Sequence, residues 1–585
     1  MSLNSLLRTF KEKFNSYRAE FKWPKRKQWG QILNILSRRE RYAFLVLLAI
    51  LTIGFVFLGA KFYLNHSEIK PAFGGRYTEA FIGAPRYLNP ILSPLKDADR
   101  DLCVLIFSGL MKYDGAGNLV PDLAEKYAVG DFGKVYDLTL RPDLKWHDNY
   151  PLTLEDVIFT LETIQNPEYK SPLRPSWQGV EFEKINENSI RFKLKNPYAP
   201  FLHNLTFGIL PKHLWGNISP ANFALNEFNL KPVGSGPYKF SKLQKDKDGS
   251  IKKLEFEAFN NYHLGEPYIS ELIFQFFNSE ENALSAYKKG GIDGLSFVSA
   301  GNTAELKIKY PELNFYALNL PRYFAIFFNQ SRNVFLSDKI VRQALVYATD
   351  KKQLINDVLD GYGLAINSSF LPGMTGYSDQ MKIYDFAPEH AKNLLLANGF
   401  TDANQDGILE KDNQPLEITL TTANWPELQK TAELVKAQWE KIGFKVNLDI
   451  KDVKEIQNGV IRPRQYQALL FGEVLNPEPD PFSFWHSSQK KDPGMNLSLY
   501  ENREVDKLLE EARQNLEQNQ RQEKYQKLAA LINEDLPTIL LFSVDYLFAA
   551  HKKINNVKFT GINLPSARLE QINQWYIETK RTWKR

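Results

Sequence analysis

One short stretch of the sequence has the residue types and spacing of a cation-binding loop. Asp402, Asn404 and Asp406 alternate along DANQDGILE, and Gly407 follows them. Oxygen ligands at alternate positions before a glycine turn can converge on one cation, as in the first positions of an EF-hand calcium loop. The twelfth position, however, is Asn413 and not the glutamate that supplies two oxygens to calcium. Two interpretations stay open, a weak calcium site and a loop closed by its own hydrogen bonds, and the second is favoured.

The sequence contains no other grouping with catalytic or metal-binding spacing. Its eight histidines are scattered, and none is grouped with cysteine at the spacing of a zinc site. There is no Gly-x-Ser-x-Gly elbow and no Walker phosphate loop. The single cysteine, Cys103, stands among apolar neighbours, which predicts a buried thiol and excludes an intrachain disulfide. We therefore predict that the protein is not an enzyme and has no cofactor.

The strongest element of the sequence is an uncharged apolar run at residues 42–60. Twelve of its 19 residues are Leu, Ile, Val or Phe. A helix of this length spans roughly 28 Å at ~1.5 Å per residue, close to the ~30 Å hydrocarbon core of a bilayer. We predict a transmembrane signal anchor at residues 42–63, followed by a spacer at 64–75.

Charge on either side of this run predicts its orientation. Residues 1–41 hold 11 Lys or Arg against three Glu, and Arg38, Arg39 and Arg41 stand next to the membrane edge. The excess of basic residues keeps this leader in the cytoplasm and places the rest of the chain outside. A cleaved signal peptide is the alternative, but the run is longer than a ~7–15-residue secretory core and lacks a good cleavage site.

The basic leader has an apolar stripe of its own. Leu3, Leu7, Phe10, Phe14 and Phe21 recur at helical spacing with basic residues between them. We predict a helix lying on the anionic cytoplasmic surface of the membrane, with a helix that packs on another protein as the alternative.

The exported part has the composition of a large globular protein. The first 41 residues hold 11 of the 73 basic residues and three of the 68 acidic ones, so the remainder has a net charge of −3. The basic character therefore belongs to the leader and does not indicate nucleic-acid binding. About 520 residues follow the anchor, enough for two or more domains.

Patterns typical of strands and helices alternate along this exported part. The period-two and period-3.6 patterns predict a mixed α/β protein without internal repeats. The predicted strands are 135–140, 189–194, 238–243, 416–421, 446–450 and 538–542, and the predicted helices are 97–111, 153–165, 338–349, 353–359, 388–398, 427–441, 503–517 and 521–534.

An ordered set of motifs in these segments resembles the family 5 extracellular solute-binding proteins, the dipeptide, oligopeptide and nickel receptors of ABC importers. The resemblance covers residues 76–575, and no single motif carries it. The motifs are DLTLR at 137–141 with KWHD at 145–148 and PLTLEDV at 151–157, KPVGSGPY at 231–238, VRQALVYATD at 341–350, IGFKV at 442–446, Asp480-Pro481, and the segment 496–508.

The resemblance implies a two-lobed α/β fold of the periplasmic-binding-protein type, class II, preceded here by one transmembrane helix. Lobe one would comprise residues 70–112, 235–320 and 543–585, with an extra domain inserted at 113–234. Lobe two would comprise residues 321–542. The two crossings between lobes would form a hinge, and hinge closure around a ligand is a known mode of binding.

The resemblance also points to a ligand contact before the Asp480-Pro481 pair. Peptide receptors of this family carry an aspartate three residues before that pair, which binds the amino group of the ligand; here the position is Pro477. Glu473 or Glu478 could replace it, because a carboxylate in a closed cleft binds an ammonium group strongly.

Trp485, Trp425 and Asn496 complete the predicted ligand-binding set with Glu473. The two tryptophans would line the cleft with aromatic surface, although a large aromatic is more often plain core. Arg342 and Asp350, by contrast, are expected to stabilise the fold.

The predicted function is that of a membrane-anchored substrate-binding protein that captures peptides and delivers them to an ABC permease. The family's usual lipid-bearing cysteine is absent, since Lys61 follows the apolar run, so residues 1–63 would hold the protein to membrane lipids instead. Alternatives are a sensor that signals through the leader, a receptor for a metal chelate or an oligosaccharide, and, least favoured, an extracytoplasmic hydrolase.

Overall fold

The computed structural model describes residues 36–93, 96–114, 117–476, 478–558 and 564–584. The chain divides into two compact units: Met1–Lys70 with Thr579–Arg585, and Pro71–Glu578. The predicted leader helix at residues 3–21 lies outside the described residues.

Helices and strands alternate through both units. The helices are α1 (Arg38–His66), α2 (Asp97–Ile106), α3 (Leu154–Gln165), α4 (Arg174–Trp177), α5 (Lys212–Trp215), α6 (Pro220–Phe223), α7 (Glu280–Lys288), α8 (Ala300–Lys309), α9 (Val334–Ser337), α10 (Lys339–Tyr347), α11 (Lys351–Leu359), α12 (Pro388–Ala397), α13 (Pro426–Glu440), α14 (Val453–Glu455), α15 (Phe482–Trp485), α16 (Arg503–Gln514), α17 (Gln518–Asp535) and α18 (Ala567–Glu570). The strands are β1 (Ser67–Pro71), β2 (Arg76–Ile82), β3 (Met111–Tyr113), β4 (Leu119–Pro121), β5 (Ala124–Gly130), β6 (Val135–Leu140), β7 (Glu181–Asn186), β8 (Ser189–Lys193), β9 (Tyr238–Lys245), β10 (Ile251–Ala258), β11 (Glu271–Phe277), β12 (Gly294–Leu295), β13 (Leu313–Asn319), β14 (Arg322–Phe328), β15 (Gly363–Ala365), β16 (Glu410–Lys411), β17 (Gln414–Pro415), β18 (Glu417–Ala423), β19 (Lys445–Lys451), β20 (Ala468–Val474), β21 (Thr538–His551) and β22 (Thr579–Trp583).

The first unit is built on α1, the helix predicted from the apolar run. Ser37 and Glu40 form a capping box in which each side chain binds the backbone N–H of the other residue. This cap starts the helix four residues before the predicted span, and the helix continues to His66 before the chain becomes extended at Ser67. None of its residues is buried, and within the described part of the chain it is the one helix long and apolar enough to cross a membrane. Strand β22 pairs with β1 in the same unit.

The second unit is organised around a twelve-stranded sheet, with the strand order β19-β18-β20-β14-β21-β12-β2-β11-β10-β9, and with β13 and β15 also paired to β21. Strand β21 joins its two halves. The first part of β21 pairs with β14, its middle with β15, and its second part with β13 and β12. This 14-residue strand and the short connection from β13 to β14 are the two crossings between the halves, so the unit has the predicted two-lobed form. Lobe one, the inserted domain and lobe two denote the predicted residue ranges, whose exact boundaries stay a prediction.

A separate four-stranded sheet, β5-β6-β8-β7, lies in the inserted domain. Its side chains alternate between buried and half-buried along β6, as the period-two pattern predicts. The buried residues of this sheet belong to the same apolar cluster as those of β2, α2 and β10 in lobe one; the shared cluster includes Trp146, Trp177 and Trp575. Lobe two has its own cluster on β14, β18 and β20. The inserted domain therefore packs with lobe one as one body.

The Pro-Val-Gly-Ser-Gly-Pro turn packs directly against the carboxyl end of α2. A Cβ added to Gly234 would lie 1.9 Å from the carbonyl oxygen of Ile106, which leaves room for glycine only. The ring of His147 closes the turn, since Nδ1 accepts from the Gly234 N–H at 3.1 Å and Nε2 donates to the Gly236 carbonyl at 3.0 Å. Burial lowers the pKa of His147 to about 4, so this neutral tautomer persists at neutral pH. Two motifs far apart in sequence thus form one structural element.

A buried ionic cluster connects α18 to the lobe-one sheet. The Arg568 guanidinium donates to Glu79 at 2.8 Å and to Asp101, and all three side chains are almost completely excluded from solvent. Tyr77 donates to the same Glu79 carboxylate at 2.7 Å. Because each buried charge has a partner, the cluster stabilises this arrangement only while it is complete.

Candidate ligand-binding cleft

A cavity of about 800 Å³ lies between the inserted domain and lobe two. Segments 175–180 and 194–204 form its wall on the inserted-domain side, and residues 474–476, 479–481, 483–484 and 513–514 form the wall on the lobe-two side. Its lining combines apolar groups such as Phe370 and Phe484 with amide side chains such as Asn204 and Asn476. Such a surface can hold an extended ligand that has both polar main-chain groups and apolar side chains.

Three side chains connect the two walls of this cavity. Tyr198, in the inserted domain, donates its hydroxyl to Asp480 at 3.2 Å. Arg513, at the end of α16 in lobe two, binds the same carboxylate oxygen through Nη2 at 2.9 Å and Nε at 3.1 Å. Its guanidinium also lies 4.4 Å above the ring of Phe482. We call Tyr198, Asp480 and Arg513 the interlobe clasp, because the hydrogen bond from Tyr198 to Asp480 exists only when the two walls are close.

A second ion pair holds the lobe-two loop in place behind the clasp. Arg521 donates to Glu478 at 3.0 Å and to the carbonyl oxygens of Asn515 and Leu516 at 2.9 Å each. Burial raises the pKa of Glu478, and the charge of Arg521 opposes that shift. Glu478 is therefore already occupied by a cation of the protein itself.

A second cavity, of about 410 Å³, lies mainly between lobe one and the inserted domain, and Asn476 and Glu478 of lobe two complete its wall. Two of its polar groups are paired internally: Asp122 with His263 at 2.7 Å, and the Tyr113 hydroxyl with His203 Nδ1 at 2.8 Å. Burial lowers the pKa of His203 to about 4, so this histidine is neutral at neutral pH.

Glu570 is the acidic side chain of this second cavity that the rest of the described chain leaves unpaired. No hydrogen bond or ion pair to its carboxylate occurs among the described residues. Burial raises the pKa of Glu570 to about 7; the Lys112 charge opposes the shift and that of Asp122 adds to it. A half-buried carboxylate of this kind has free acceptor capacity for a donor supplied by a ligand.

The four side chains predicted to bind ligand lie outside the lining of both cavities. Glu473 is buried in lobe two, where it accepts a hydrogen bond from the Tyr323 hydroxyl and where burial raises its pKa to about 8. Trp485 packs in an apolar cluster with Tyr500. Their roles as ligand contacts stay predictions.

Asn496 and Trp425 differ sharply in exposure. Asn496 is fully buried, and its amide donates to the carbonyl oxygens of His486 and Tyr500 and accepts from the Tyr500 N–H. Trp425 is 44% exposed and precedes the first residue of α13. Arg342 stabilises the fold as predicted, because it donates to the carbonyl oxygens of Leu336, Asp535 and Leu536.

The Asp402 loop closes on itself. The Asp402 carboxylate accepts from the Gly407 N–H at 3.1 Å, and the Asn404 amide nitrogen donates to both Asp406 and Glu410 at 3.1 and 3.2 Å. An amide nitrogen therefore lies between the carboxylates of Asp406 and Glu410. Within the described ranges no group of three or more His, Cys, Asp or Glu side chains is arranged to hold a metal ion. The loop supports the hydrogen-bonded interpretation, and calcium binding stays an untested prediction.

Sequence reasoning did not identify the clasp residues Tyr198 and Arg513 or the cavity residue Glu570. Each stands alone in its own segment, and each is far in sequence from the groups around it. Asp480 was part of a recognised motif, and its spacing to Arg513 carries no local signal. Only tertiary packing brings Tyr198 to Asp480 and Arg513 and places Glu570 at the second cavity.

Comparison with known proteins places this geometry in context. Residues 118–495 match the family model of the bacterial extracellular solute-binding proteins, family 5 Middle. The oligopeptide-binding protein AppA of Bacillus subtilis is 30% identical over 555 residues, which cover 92% of this chain and 99% of AppA. The dipeptide-binding protein of Escherichia coli is 26% identical over 498 residues, or 78% of this chain and 87% of that protein.

Solved structures agree with the sequence comparison. The structure of Bacillus subtilis AppA in complex with a nonapeptide has a TM-score of 0.68 and 29% identity, and the match covers 87% of this chain and all of AppA. NikZ from Campylobacter jejuni in complex with Ni(L-His) has a TM-score of 0.69 and 28% identity, with 86% of this chain and 99% of NikZ covered.

Proposed function

The chain belongs to the family 5 bacterial extracellular solute-binding proteins and is a substrate-binding protein of an ABC importer of the peptide and nickel type; on that premise, we propose that its ligand is a peptide captured between the lobes. The observation that carries this proposal is the 800 Å³ cavity between the inserted domain and lobe two, with its mixed amide and apolar lining. The names of two of its relatives, an oligopeptide-binding and a dipeptide-binding protein, support the same ligand class.

The proposed cycle needs no chemistry. A peptide enters the open cleft, the lobes close through the β13–β14 connection and β21, and the interlobe clasp forms. The closed receptor then docks on a permease, which receives the peptide. A ligand that binds the closed form more tightly than the open form increases the fraction of receptors that are closed, and the permease recognises this closed form.

The receptor stays attached to the cell membrane in this proposal. Helix α1 remains uncleaved, its basic leader stays in the cytoplasm and both lobes are outside, so that the tether replaces the lipid of lipoprotein relatives. Amino-terminal sequencing of the membrane-bound protein checks this part, since a new terminus after residue 60 would show cleavage.

Thermal denaturation of the full chain in detergent tests the ligand class. A ligand at 100 times its Kd stabilises the folded state by about 2.7 kcal/mol, which raises Tm measurably. We expect a shift with a broad mixture of peptides, and mass spectrometry of the peptides before and after should show no hydrolysis. If no peptide fraction raises Tm, the peptide proposal is refuted.

A nickel chelate is the second candidate ligand, because a structure similar to this chain holds Ni(L-His). The same assay with nickel and histidine, compared with histidine alone, separates the two. A shift with the chelate and none with peptides would transfer the function to metal uptake.

A further inference from the structure

The end of the membrane helix and the last described strand form one aromatic and basic surface. Trp583 on β22 meets the ring of Tyr63 edge-on at 5.2 Å between centroids, and the ring of Phe62 lies 6.3 Å away. Phe62 in turn stacks on His66 at 4.1 Å. These rings remain partly exposed: Trp583 is 55% exposed, Phe62 58% and Tyr63 38%.

Backbone and side-chain hydrogen bonds fix β22 at this place. The Lys584 N–H donates to the His66 carbonyl at 2.8 Å, and Lys584 Nζ donates to the Asn65 carbonyl at 2.9 Å. Arg581 donates to the Ser67 hydroxyl at 3.0 Å. The strand is therefore held against the last turn of α1 and not merely near it.

The length of α1 places this surface at a definite depth. Its 29 residues extend roughly 43 Å at ~1.5 Å per residue, which matches a whole bilayer with its headgroups. With the apolar residues 42–60 in the hydrocarbon core, Phe62 and Tyr63 fall in the outer interfacial layer. Trp and Tyr rings favour this layer, since an apolar ring can enter the acyl region while its polar atom stays hydrated.

We propose that Phe62, Tyr63 and Trp583, with the cations Lys61, Arg581 and Lys584, form an interfacial collar that binds phospholipid headgroups of the outer leaflet. The rings would enter the interface, and the cations would pair with headgroup phosphates at roughly 1 kcal/mol each on an anionic surface. The collar gives the receptor a second membrane contact beyond the span, made by a strand more than 500 residues away in sequence. This inference rests on the proposed membrane anchorage and is independent of the ligand.

Depth-dependent fluorescence quenching tests the collar. The full chain, reconstituted in phosphatidylcholine vesicles with 30% phosphatidylglycerol, carries one environment-sensitive label at W583C. Because Cys103 is buried, labelling is confined to the introduced cysteine. The matched control is I308C, at a position that is 85% exposed on helix α8.

We expect headgroup-quencher lipids to reduce the fluorescence of the label at 583 at least twofold more than that of the label at 308. Equal quenching at both positions would overturn the proposal. A second measurement without a label excludes the possibility that the label inserts into the membrane by itself. The quenching of Tyr63 fluorescence by brominated lipid is compared between the unlabelled wild type and the W583A variant. The Tyr63 signal is obtained by subtraction of the spectrum of a Tyr63→Ala variant. Equal Tyr63 quenching in both backgrounds would also overturn it.

The peptide-induced rise in Tm is measured on the W583A variant as well. If the quenching results contradict the collar while peptides still raise Tm, only the collar is refuted. If peptides do not raise Tm while quenching at position 583 is as expected, only the peptide proposal is refuted. If alkaline carbonate removes the full chain from the vesicles, both the proposed membrane anchorage and the collar are refuted.

Discussion

Removal of one hydroxyl from the interlobe clasp should weaken ligand binding without damage to either lobe. In Tyr198→Phe the ring remains, but the 3.2 Å hydrogen bond to Asp480 is lost. A hydrogen bond to a charged group contributes about 1.5–3 kcal/mol. Because the bond joins the inserted domain to lobe two, this loss falls on the closed state and leaves the open state unchanged.

The size of the effect depends on the unliganded equilibrium. If the empty receptor is mostly open, the whole loss appears in affinity, and Kd rises roughly 10- to 100-fold. If the empty receptor is mostly closed, Kd rises less, but the unliganded protein opens. Calorimetric titration with the peptide identified in the thermal assay measures the first quantity, and small-angle scattering of the empty receptor measures the second.

Tyr500→Phe is the matched control. Its hydroxyl also donates to an aspartate, Asp535 at 2.6 Å, but both residues belong to lobe two. This variant should lose stability and keep its Kd. A double-mutant cycle with Asp480→Asn then separates the clasp from a direct ligand contact, because Tyr198 acting through Asp480 makes the two losses non-additive. Unchanged Kd together with unchanged scattering of the Tyr198→Phe receptor would refute the role of the clasp.

Three further changes test the cavity and the fold. Glu570→Gln should lower the affinity for peptides with a positive charge about 10-fold or more at pH 8, and the affinity of the variant should no longer increase as pH rises through about 7, as titrations at pH 5.5 and 8 would show. The raised pKa of Glu570 disfavours its ionised form in the folded protein, so its ionisation lowers stability; this loss is absent below the unfolded pKa near 4.5 and complete above pH 7. The variant should therefore have a higher Tm than the wild type at pH 8 and the same Tm at pH 4. Gly234→Ala should destabilise the protein by several kcal/mol, since its Cβ would overlap the Ile106 carbonyl, whereas Gly130→Ala, whose Cβ has 3.9 Å of clearance, should change Tm little in the same scan. Arg568→Gln should cost about 3–5 kcal/mol in urea denaturation, because two buried carboxylates lose their cation, and a loss below 1 kcal/mol would contradict the buried cluster.

The local pattern of the sequence predicted most helices and the alternating strands well. The predicted helix 427–441 is α13, Pro426–Glu440, and the predicted helix 153–165 is α3, Leu154–Gln165, which begins with a capping box formed by Thr153 and Asp156. The predicted strand 538–542 was too short, since β21 continues to His551. Ser543 and Asp545 interrupt the apolar pattern there, but pairing with β15 and β13 carries the strand across them. Long-range pairing of this kind has no local signal.

Two properties of this protein follow from its sequence alone. The uncharged run at 42–60 determines the apolar helix, because its all-round hydrophobicity depends on composition and not on any partner. The ordered motifs determine the family, and with it the two-lobed fold. The residues of the candidate site, by contrast, did not follow from the sequence. Glu473 was predicted as a ligand contact because it stands shortly before the Asp480-Pro481 pair; packing of β14 against β20 buries it beside Tyr323, and its role stays a prediction. Tertiary structure alone brings Tyr198, Asp480 and Arg513 together and places Glu570, which is unpaired among the described residues, in a cavity, because a binding cleft forms between segments whose distances depend on how the chain packs.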